Sequence, residues 1–599
     1  MNFLVLRLFL VLLVSLSTLA ILEWRFKALT RFRNEKSTAL NLAVARIAVA
    51  GTLLWQIRLN DILLSAALDP ALRVPFQIWG SLALRLMAPP ALMTAIYAIF
   101  LLSAFLMLIG LFGRIAAAVT AISAVYLISF LFLYGKVDHT YHHLVFFAVV
   151  CAVFPSTDTL SMDAAWAAWR DADTGRLRRS QPSLAYGYAM QSMWVFVGLA
   201  YYFPGLWKFG RGWTRWLSGK SLHDYIALAG EWLSWTPLQV WLFQHPALMS
   251  LCSVLGVLFE LGFIFIILFP LLRPFAGLMG LAFHNATNLI VRIQFIPLQS
   301  CYVIFLDWTA ILSWISRKLT LGCVTVVYDS HCKLCRRAAG TLAIFDWTGS
   351  LVFVPNSETS ALPERMRANV PEEPELYFSG ITGDGRVGIG YEGYKLIAAR
   401  VPLLWMLRPF MGLPGIQQLG TAMYQWVARS RTCSVVDVGS SARARTEARG
   451  ENMLPAKAAV IARWVPLAGL GLMMILGLLH VVNTWPLSCF PTFDGPTSDI
   501  VTQLSIQVLN GSNAAQNWNL SSDLKLRNVY QRWYWLAYQG NVAGAATRPK
   551  VAALVNLWLK YHPELHPTNV AVFLDRYQMR PVEETRIRLT RQKCWEFTF

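Results

Sequence analysis

Residues 328–335 combine the side chains best suited to chemistry in this chain. They place Cys332 and Cys335 in a Cys-x-x-Cys spacing directly after the apolar run 323–327. The pattern predicts a strand, a sharp turn and a helix that begins at the cysteines. Free N–H groups and the dipole at a helix N-terminus favour a thiolate, so we expect Cys332 to be an exposed attacking thiol and Cys335 the resolving thiol.

The same spacing occurs in zinc sites, which need two further ligands. The surrounding residues offer only His331 and the distant Cys433. We therefore favour thiol-disulfide chemistry over a metal site, with a purely structural pair of cysteines as a further alternative.

A second candidate group is Lys208, which lies among the aromatic residues 201–203, Trp207 and Trp216. Aromatic neighbours at a membrane boundary partly desolvate an ammonium group, and a desolvated lysine gives up its proton more readily and can act as a base. The alternative is that Lys208 extends to the aqueous boundary while the aromatic rings form an interfacial belt.

The composition places these groups in a membrane protein. The 599 residues are 56% hydrophobic and only 14% charged, which is typical of a chain that crosses a bilayer several times. The formal charge of +19 comes from basic residues that gather between apolar segments. This is the positive-inside pattern, so we expect the lipid bilayer as a partner and exclude nucleic acid.

Apolar segments long enough to cross about 30 Å of hydrocarbon recur along the sequence. We predict spans at residues 41–60, 91–110, 114–134, 186–204, 246–270, 271–292, 296–315 and 458–483. Residues 142–155 form a shorter apolar segment. Residues 3–22 precede a basic cluster that resists export, so they predict an anchor or interfacial helix rather than a cleaved signal.

The basic loops give the expected orientation in a bacterial inner membrane. The loops expected on the cytoplasmic side are residues 23–36, 170–179, 317–318 and 443–449. The segments then expected on the outer face are residues 135–141, 205–245 and those after about 484. The Cys-x-x-Cys domain falls inside, where the pair is expected to stay reduced.

The predicted fold class is a multi-spanning α-helical membrane protein with an inserted thioredoxin-like α/β domain and a C-terminal extracytoplasmic α+β domain. The expected order is an N-terminal anchor or interfacial helix with a basic loop, a transmembrane domain, the α/β domain, a linker, one further span and an external cap. The corresponding boundaries are residues 1–36, 37–318, 319–435, 436–457, 458–483 and 484–599.

Finer elements follow from local patterns. The expected strands are residues 351–355, 375–378 and 499–508, and the expected helices of the cap are residues 530–538 and 551–561. Cys489 and Cys594 lie near the two ends of the cap in an oxidising compartment, which predicts a structural disulfide between them.

The motif Tyr-Asp-Ser-x-Cys-x-x-Cys at residues 328–335 resembles the Tyr-Asp-Gly-x-Cys-x-x-Cys signature of the DCC family of thiol-disulfide oxidoreductases. Residues 394–398 and 424–431 also suit that family. The resemblance implies that Cys332 attacks, that Cys335 resolves, and that Asp329 is a nearby acid able to take or give a proton. Ser330 stands where the family usually carries glycine.

Five stretches between residues 37 and 318 resemble the vitamin K-dependent γ-carboxylases and their bacterial relatives, the HTTM-domain proteins. They are Gly-x-x-Lys-Phe at 205–209, Trp-x-x-Gly at 216–219, Asp-His-Thr-Tyr at 138–141, Phe-His-Asn at 283–285, and residues 155–163.

This resemblance implies that Lys208 is the base that deprotonates a reduced naphthoquinone, whose oxygenation yields a base strong enough to take the γ-proton of a glutamate before CO2 adds. It also implies that His139 lies near the acceptor side chain and that His284, Trp207 and Trp216 line the cavity. A quinone or a reduced vitamin K-like naphthoquinone is then the expected cofactor, and a secreted peptide is an expected substrate.

The sequence thus predicts a membrane-bound thiol-disulfide oxidoreductase that acts on a partner protein or a small thiol. This domain is fused to a γ-carboxylase-like domain that modifies a peptide or small molecule. A quinol link between the two activities is a hypothesis. The alternative is a non-catalytic membrane factor for export or maturation of, or protection against, a secreted peptide. A transporter would need polar groups along a path, and the predicted spans carry few charges besides Glu260 and Arg292.

Overall fold

The computed structural model of the chain describes residues 3–133, 137, 139–232, 235–319, 322–374, 377–429, 456–488, 498, 500–509, 516–519, 542–564, 566–583 and 585–599. A helical body is followed by an α/β domain, a further helical segment and a second sheet. The predicted linker 436–457 and cap helix 530–538 lie outside the described residues, apart from the last two residues of the linker.

The helical body ends at residue 319. Its helices are α1 (Phe3–Phe26), α2 (Ala28–Arg33), α3 (Ala39–Gln56), α4 (Leu59–Ala66), α5 (Gly80–Arg85), α6 (Pro90–Ile109), α7 (Gly113–Leu131), α8 (His142–Val153), α9 (Met162–Asp173), α10 (Leu184–Leu217), α11 (Lys220–Trp232), α12 (Pro237–Phe243), α13 (Pro246–Ile266), α14 (Arg273–Val291), α15 (Ile296–Ser300) and α16 (Trp308–Leu319).

Among the described residues, six helical segments are long and apolar enough to cross a membrane, so the chain is an integral membrane protein. They are Phe3–Phe26, Ala39–Gln56, Pro90–Ile109, Gly113–Leu131, Pro246–Ile266 and Lys457–Leu478. The predicted span 296–315 is a pair of helical segments bent by 65°. Residues 186–204 and 271–292 lie in α10 and α14, which fall below the hydropathy of the six.

Helix α10 is the centre of the body. It packs against α1, α8, α13 and α22 (Trp464–Leu478), and most of its side chains are buried. Pro204 lies inside it and the backbone of Gly212 leaves helical geometry, so the helix bends towards its C-terminal end. The helix runs on to Leu217, so the expectation of an outward loop after residue 204 was wrong: helix–helix packing keeps this segment helical and buried.

Residues 155–163 clamp the helices at one end of the body. The guanidinium of Arg46 donates to the carbonyl oxygen of Ser156 at 2.6 Å, and the Asp163 carboxylate accepts from the N–H groups of Phe112 and the next residue at 3.0 and 2.9 Å. A carboxylate at these N–H groups stabilises the start of α7. This stretch therefore fixes α3, α7 and α9 relative to one another.

The α/β domain has one sheet in the strand order β2-β1-β3-β4. Strands β1 and β2 are parallel, whereas β3 is antiparallel to both β1 and β4. The strands are β1 (Val324–Tyr328), β2 (Leu351–Pro355), β3 (Ser379–Thr382) and β4 (Val387–Ile389), and the helices are α17 (Lys333–Phe345), α18 (Glu364–Arg367), α19 (Tyr391–Ala398) and α20 (Pro414–Arg429). Strand β2 has the predicted bounds. Of the predicted strand 375–378, the first two residues lie outside the described residues and the last two are not in a strand, since β3 begins at Ser379.

After α21 (Ala456–Ala462) and α22, the C-terminal region forms a second sheet in the order β6-β5-β7-β8. Its elements are β5 (Ile500–Leu509), β6 (Gln516–Asn519), α23 (Arg548–Tyr561), β7 (Asn569–Arg580) and β8 (Thr585–Thr598). Strand β5 and helix α23 correspond to the predicted strand and helix. The long β7–β8 hairpin was not predicted; its second strand is basic and mostly exposed.

The two sheets lie at opposite ends of the helical body. Helix α17 packs against α9, which follows the clamp at residues 155–163, whereas the C-terminal sheet shares an apolar cluster with Leu68 and Leu72 in the loop after α4. Spans such as α3 and α7 connect these two ends. The α/β domain and the C-terminal domain are therefore separated by the thickness of the body.

Candidate functional site

The Cys-x-x-Cys pair lies where the sequence predicts, between a strand and a helix. Strand β1 ends at Tyr328, Cys332 is the N-cap residue of α17, and Cys335 lies in the first turn of that helix. A position at a helix N-terminus favours the thiolate form of a cysteine.

Both thiols are buried, and this corrects one expectation. The side chains of Cys332 and Cys335 are 2% and 5% exposed and belong to the apolar core of the α/β domain. We expected an exposed attacking thiol, because spacing gives the position of a side chain along a helix but not what covers it.

The turn before Cys332 is held by polar contacts. Asp329 is 2% exposed, and its carboxylate accepts from the backbone N–H of His331 at 2.8 Å. The Ser330 hydroxyl donates to the Asn356 side chain at 2.9 Å, and its backbone is not in the left-handed region, so serine fits where related sequences carry glycine. Burial, followed by the charge of Glu358, raises the pKa of Tyr328 to about 12, so its phenol stays protonated.

Arg336 connects this turn to the helical body. Its side chain is buried, and it donates to the carbonyl oxygen of Ser330 at 2.6 Å and to that of Ala172, near the end of α9, at 3.1 Å. The neighbouring Arg337 forms two hydrogen bonds with Asp173 at 3.0 and 2.8 Å, which hold the pKa of that carboxyl below its usual range. These contacts attach helix α17 to helix α9 of the helical body.

We expect Cys332 to react with N-ethylmaleimide much more slowly than Cys323 in the folded, reduced protein. Cys323 is exposed in the same domain and provides the internal control, and the thiolate must be accessible to react. Timed quenching followed by peptide mass spectrometry measures both rates, and the difference should vanish in denaturant. Equal rates in the folded protein would contradict the burial of Cys332.

The second site is a cavity of about 690 Å³ inside the helical body, lined mainly by α10, α13 and α14. Its wall contains Lys208, His139, His284 and Trp216, so residues separated by as many as 145 positions in sequence meet at one place. Most of the remaining lining is apolar. Such a shape and lining suit a largely apolar small molecule with a few polar groups.

Lys208 is paired inside this cavity with Glu260 of α13. The two side chains are 6% and 5% exposed, and the Nζ–Oε1 distance is 2.5 Å. The ammonium also lies 4.7 Å from the centre of the Trp216 ring. Sequence reasoning placed Glu260 among the interior charges but not in the site; a single acid within an apolar span requires a partner, and that signal could have identified it.

His284 belongs to a buried hydrogen-bond chain. Its Nε2 atom lies 2.7 Å from the Tyr201 hydroxyl, which in turn contacts the Tyr302 hydroxyl. His139, at the other side of the cavity, lies 3.2 Å from the hydroxyl of Ser488 through its Nδ1 atom. Sequence analysis named Tyr201 only as an aromatic neighbour of Lys208 and did not identify Tyr302, because aromatic residues in apolar segments are usually core residues.

Buried polar atoms without partners converge on this cavity. Within the part of the chain that the structure describes, four cavity residues carry a buried polar atom with no hydrogen-bond partner: Glu260 Oε2, His284 Nδ1, Ser253 Oγ and Trp216 Nε1. An unpaired buried polar group is costly. These donors and acceptors in an apolar wall fit a quinone-like molecule, whose ring carries two oxygens and whose tail is apolar.

Three expected residues lie elsewhere or are not described. Trp207 does not line the cavity: its indole N–H donates to the Gly477 carbonyl at 2.8 Å and its ring packs on His480, since it lies on the face of α10 that contacts α22. Asp138 and Cys489 are outside the described residues. Cys594 is half-buried on β8, and its disulfide with Cys489 stays a prediction.

Comparison with known proteins agrees with the two resemblances. Residues 34–309 match the HTTM domain, and residues 326–434 match the DCC1-like thiol-disulfide oxidoreductase. The predicted fusion of these two domains is confirmed. No curated protein and no solved structure matches the chain.

Proposed function

We propose that this membrane protein exchanges disulfides at Cys332 and Cys335 and modifies a peptide or small molecule in the cavity around Lys208. Residues 34–309 form an HTTM domain, and residues 326–434 form a DCC1-like thiol-disulfide oxidoreductase domain. The buried Cys-x-x-Cys pair at the start of α17 carries the first activity. The convergence of Lys208, Glu260 and unpaired polar atoms supports the second.

In the redox reaction the Cys332 thiolate attacks a disulfide of a partner protein or small thiol, and one partner sulfur leaves as a thiol. Cys335 then attacks the mixed disulfide, so the second partner sulfur leaves and the Cys332–Cys335 disulfide forms. Two electrons and two protons pass to the partner. Asp329 beside the pair takes or gives a proton, and the parallel β1–α17–β2 unit followed by the β3–β4 hairpin supports a thioredoxin-like domain.

In the cavity, Lys208 acts as a base once its proton has moved to Glu260. The distance of 2.5 Å between Lys208 Nζ and Glu260 Oε1 allows this transfer directly within the pair. The amine of Lys208 then takes a proton from the bound molecule. His284, backed by the hydroxyl of Tyr201, orients a polar group of that molecule.

A quinone or reduced vitamin K-like naphthoquinone is the cofactor that the cavity suits. When bound, this group supplies the oxygen-dependent strong base needed to remove an unactivated proton. Glu260, His284 and Trp216 would hold its oxygens, and the apolar side chains of α13 and α14 would surround the rest. His139 faces the same cavity and would orient the acceptor side chain, for which a secreted peptide is the proposed source.

We place the α/β domain in the cytoplasm and the C-terminal domain outside a bacterial inner membrane, in line with the basic loops. Lys208 follows the start of α10 by 24 residues, roughly 36 Å at 1.5 Å per residue. The dithiol and the cavity therefore exchange electrons only through a membrane-soluble carrier such as a quinone, which needs two electrons and two protons to become a quinol.

The Lys208→Ala variant tests the cavity activity. We expect the rate of product formation to fall on the order of 10²-fold or more, which is the usual contribution of a positioned base. The measurement is ¹⁴CO₂ incorporation into a glutamate-containing peptide by the full chain in nanodiscs with a reduced naphthoquinone and oxygen. The control is Lys395→Ala on α19 of the α/β domain, outside the cavity. Incorporation that survives in Lys208→Ala would exclude Lys208 as the base, and no incorporation by the unchanged protein would favour the non-catalytic membrane factor.

A further inference from the structure

In the part of the chain that the structure describes, the α/β domain presents an exposed apolar surface. It is formed by residues 402–429, where Met406 is 81% exposed and Trp426 is 72% exposed, and no residue of α20 is buried. Single exposed apolar residues are ordinary, but a continuous patch of large ones marks an interaction surface.

The exposed side chains of α20 share one face of the helix. Ile416, Leu419, Met423 and Trp426 follow one another at steps of three, four and three residues, and all four are exposed. This spacing produces a single apolar stripe along a helix. Phe410 and Met406 extend the stripe before α20 begins.

The charged residues near this surface indicate what kind of partner it binds. No aspartate or glutamate occurs between Glu392 and Asp437, whereas basic residues recur there: Lys395, Arg400, Arg408, Arg429 and Arg431. Lys395 pairs with Glu392, whose carboxylate also accepts from Gln417 of α20, and Arg400 is buried. Arg408 and Arg429 are exposed on either side of the stripe in sequence. An apolar stripe that includes tryptophan and has exposed cations near it is the pattern of a helix that lies in a lipid interface and attracts anionic headgroups.

The chain also keeps this surface near the membrane. The chain enters the domain directly from α16, and the span Lys457–Leu478 follows the domain in sequence. Helix α16 is bent by 65° from the preceding segment, and its Trp314 is 58% exposed while Arg317 and Lys318 close it. An interfacial orientation of α16 brings the start of the domain to the headgroup level.

We propose that residues 402–429 form a membrane-docking surface that inserts the apolar stripe of α20 into the anionic headgroup layer at the α/β end of the protein. Together with the contact of α17 with α9, this second attachment fixes the orientation of the dithiol relative to the bilayer. A partner that reaches Cys332 therefore approaches along the membrane surface.

The test uses the full chain in vesicles of phosphatidylglycerol and phosphatidylcholine. A photoreactive benzoylphenylalanine replaces Met423, and Arg386, an exposed residue on the β3–β4 turn, is replaced in a matched control. After irradiation, mass spectrometry identifies the adducts. We expect several-fold more lipid adduct at residue 423 than at residue 386, and equal lipid labelling, or adducts with protein only, would overturn the proposal.

A second measurement does not depend on the photoreactive group. In the Leu419→Asp/Met423→Asp variant, deuterium uptake of residues 402–429 should rise in vesicles, while uptake of residues 324–355 stays unchanged as a control for folding. Vesicles of phosphatidylcholine alone should protect the segment less than the anionic mixture. Equal uptake by the variant and the unchanged protein would contradict membrane docking.

Discussion

In a Cys335→Ser variant, a mixed disulfide at Cys332 is expected to accumulate on the physiological partner. Cys332 still attacks from the N-terminus of α17, but the resolving thiol is gone, so the second step of the exchange cannot occur. Membranes quenched with acid and separated without reductant should show a shifted band that collapses on reduction. Mass spectrometry of that band gives both the partner and the modified cysteine.

Two controls make this result specific. The double variant Cys332→Ser/Cys335→Ser should give no band, because the attacking thiol is also missing. A Cys323→Ser background removes the exposed thiol of the same domain, which could otherwise form disulfides without specificity. A band that persists in the double variant, or that maps to another cysteine, would exclude Cys332 as the nucleophile.

Replacing Glu260 by alanine is expected to destabilise the helical body by about 3–5 kcal/mol, the usual cost of removing one partner from a buried ion pair. The Lys208 ammonium would remain in a cavity wall where it is 6% exposed, without the carboxylate that lies 2.5 Å away. Reversible denaturant-induced unfolding in detergent micelles measures the decrease in the free energy of unfolding.

A matched set of variants separates charge from shape. The double variant Lys208→Met/Glu260→Leu should recover most of the stability, since an apolar pair of similar volume avoids desolvating two charges. Ser253→Ala lies on the same helix and removes a hydroxyl that has no hydrogen-bond partner among the described residues, so it should be nearly neutral. If the single and double variants lose equal amounts of unfolding free energy, the packing volume of the two side chains, and not their charge, accounts for the stabilisation.

The two results bear on different halves of the protein. The disulfide trap concerns one turn and one helix of the α/β domain, whereas the ion pair concerns the packing of α10 on α13. Failure of one therefore leaves the other proposal intact. Together they decide whether the chain combines two chemistries or carries one on a structural membrane anchor.

Local features of the protein could be predicted from sequence. Strand β2, strand β5 and helix α23 match their predicted positions closely, and the strand before Cys332 and the helix after it follow from an apolar run and a short spacing. Membrane spans followed from composition over about 20 residues, because crossing hydrocarbon imposes a length and an apolarity on a helix. All of these depend on neighbours within one turn, one strand or one span.

Other features could not be predicted because they depend on distant residues. The sequence suggested that Lys208 lies in an outward loop, but α10 continues through it and buries it against Glu260, 52 positions away. Trp207, next to Lys208, faces α22 and not the cavity, since adjacent residues of a helix point to different sides. The register of the β7–β8 hairpin is set by pairing between its two strands and with β5, whose sequence lies about 60 positions or more before it.

The sequence by itself determined that a dithiol follows a strand in a chain with several membrane spans. It also determined that Lys208, His139 and His284 each lie in a motif that resembles the HTTM family. Only the tertiary structure decided that Cys332 is buried, that α17 is docked on α9 through Arg336, and that Lys208, His139 and His284 share one cavity. Periodicity reports which face of an element is apolar. Which element covers that face is set by packing between residues far apart in the chain, and that information is not contained in any short stretch of sequence.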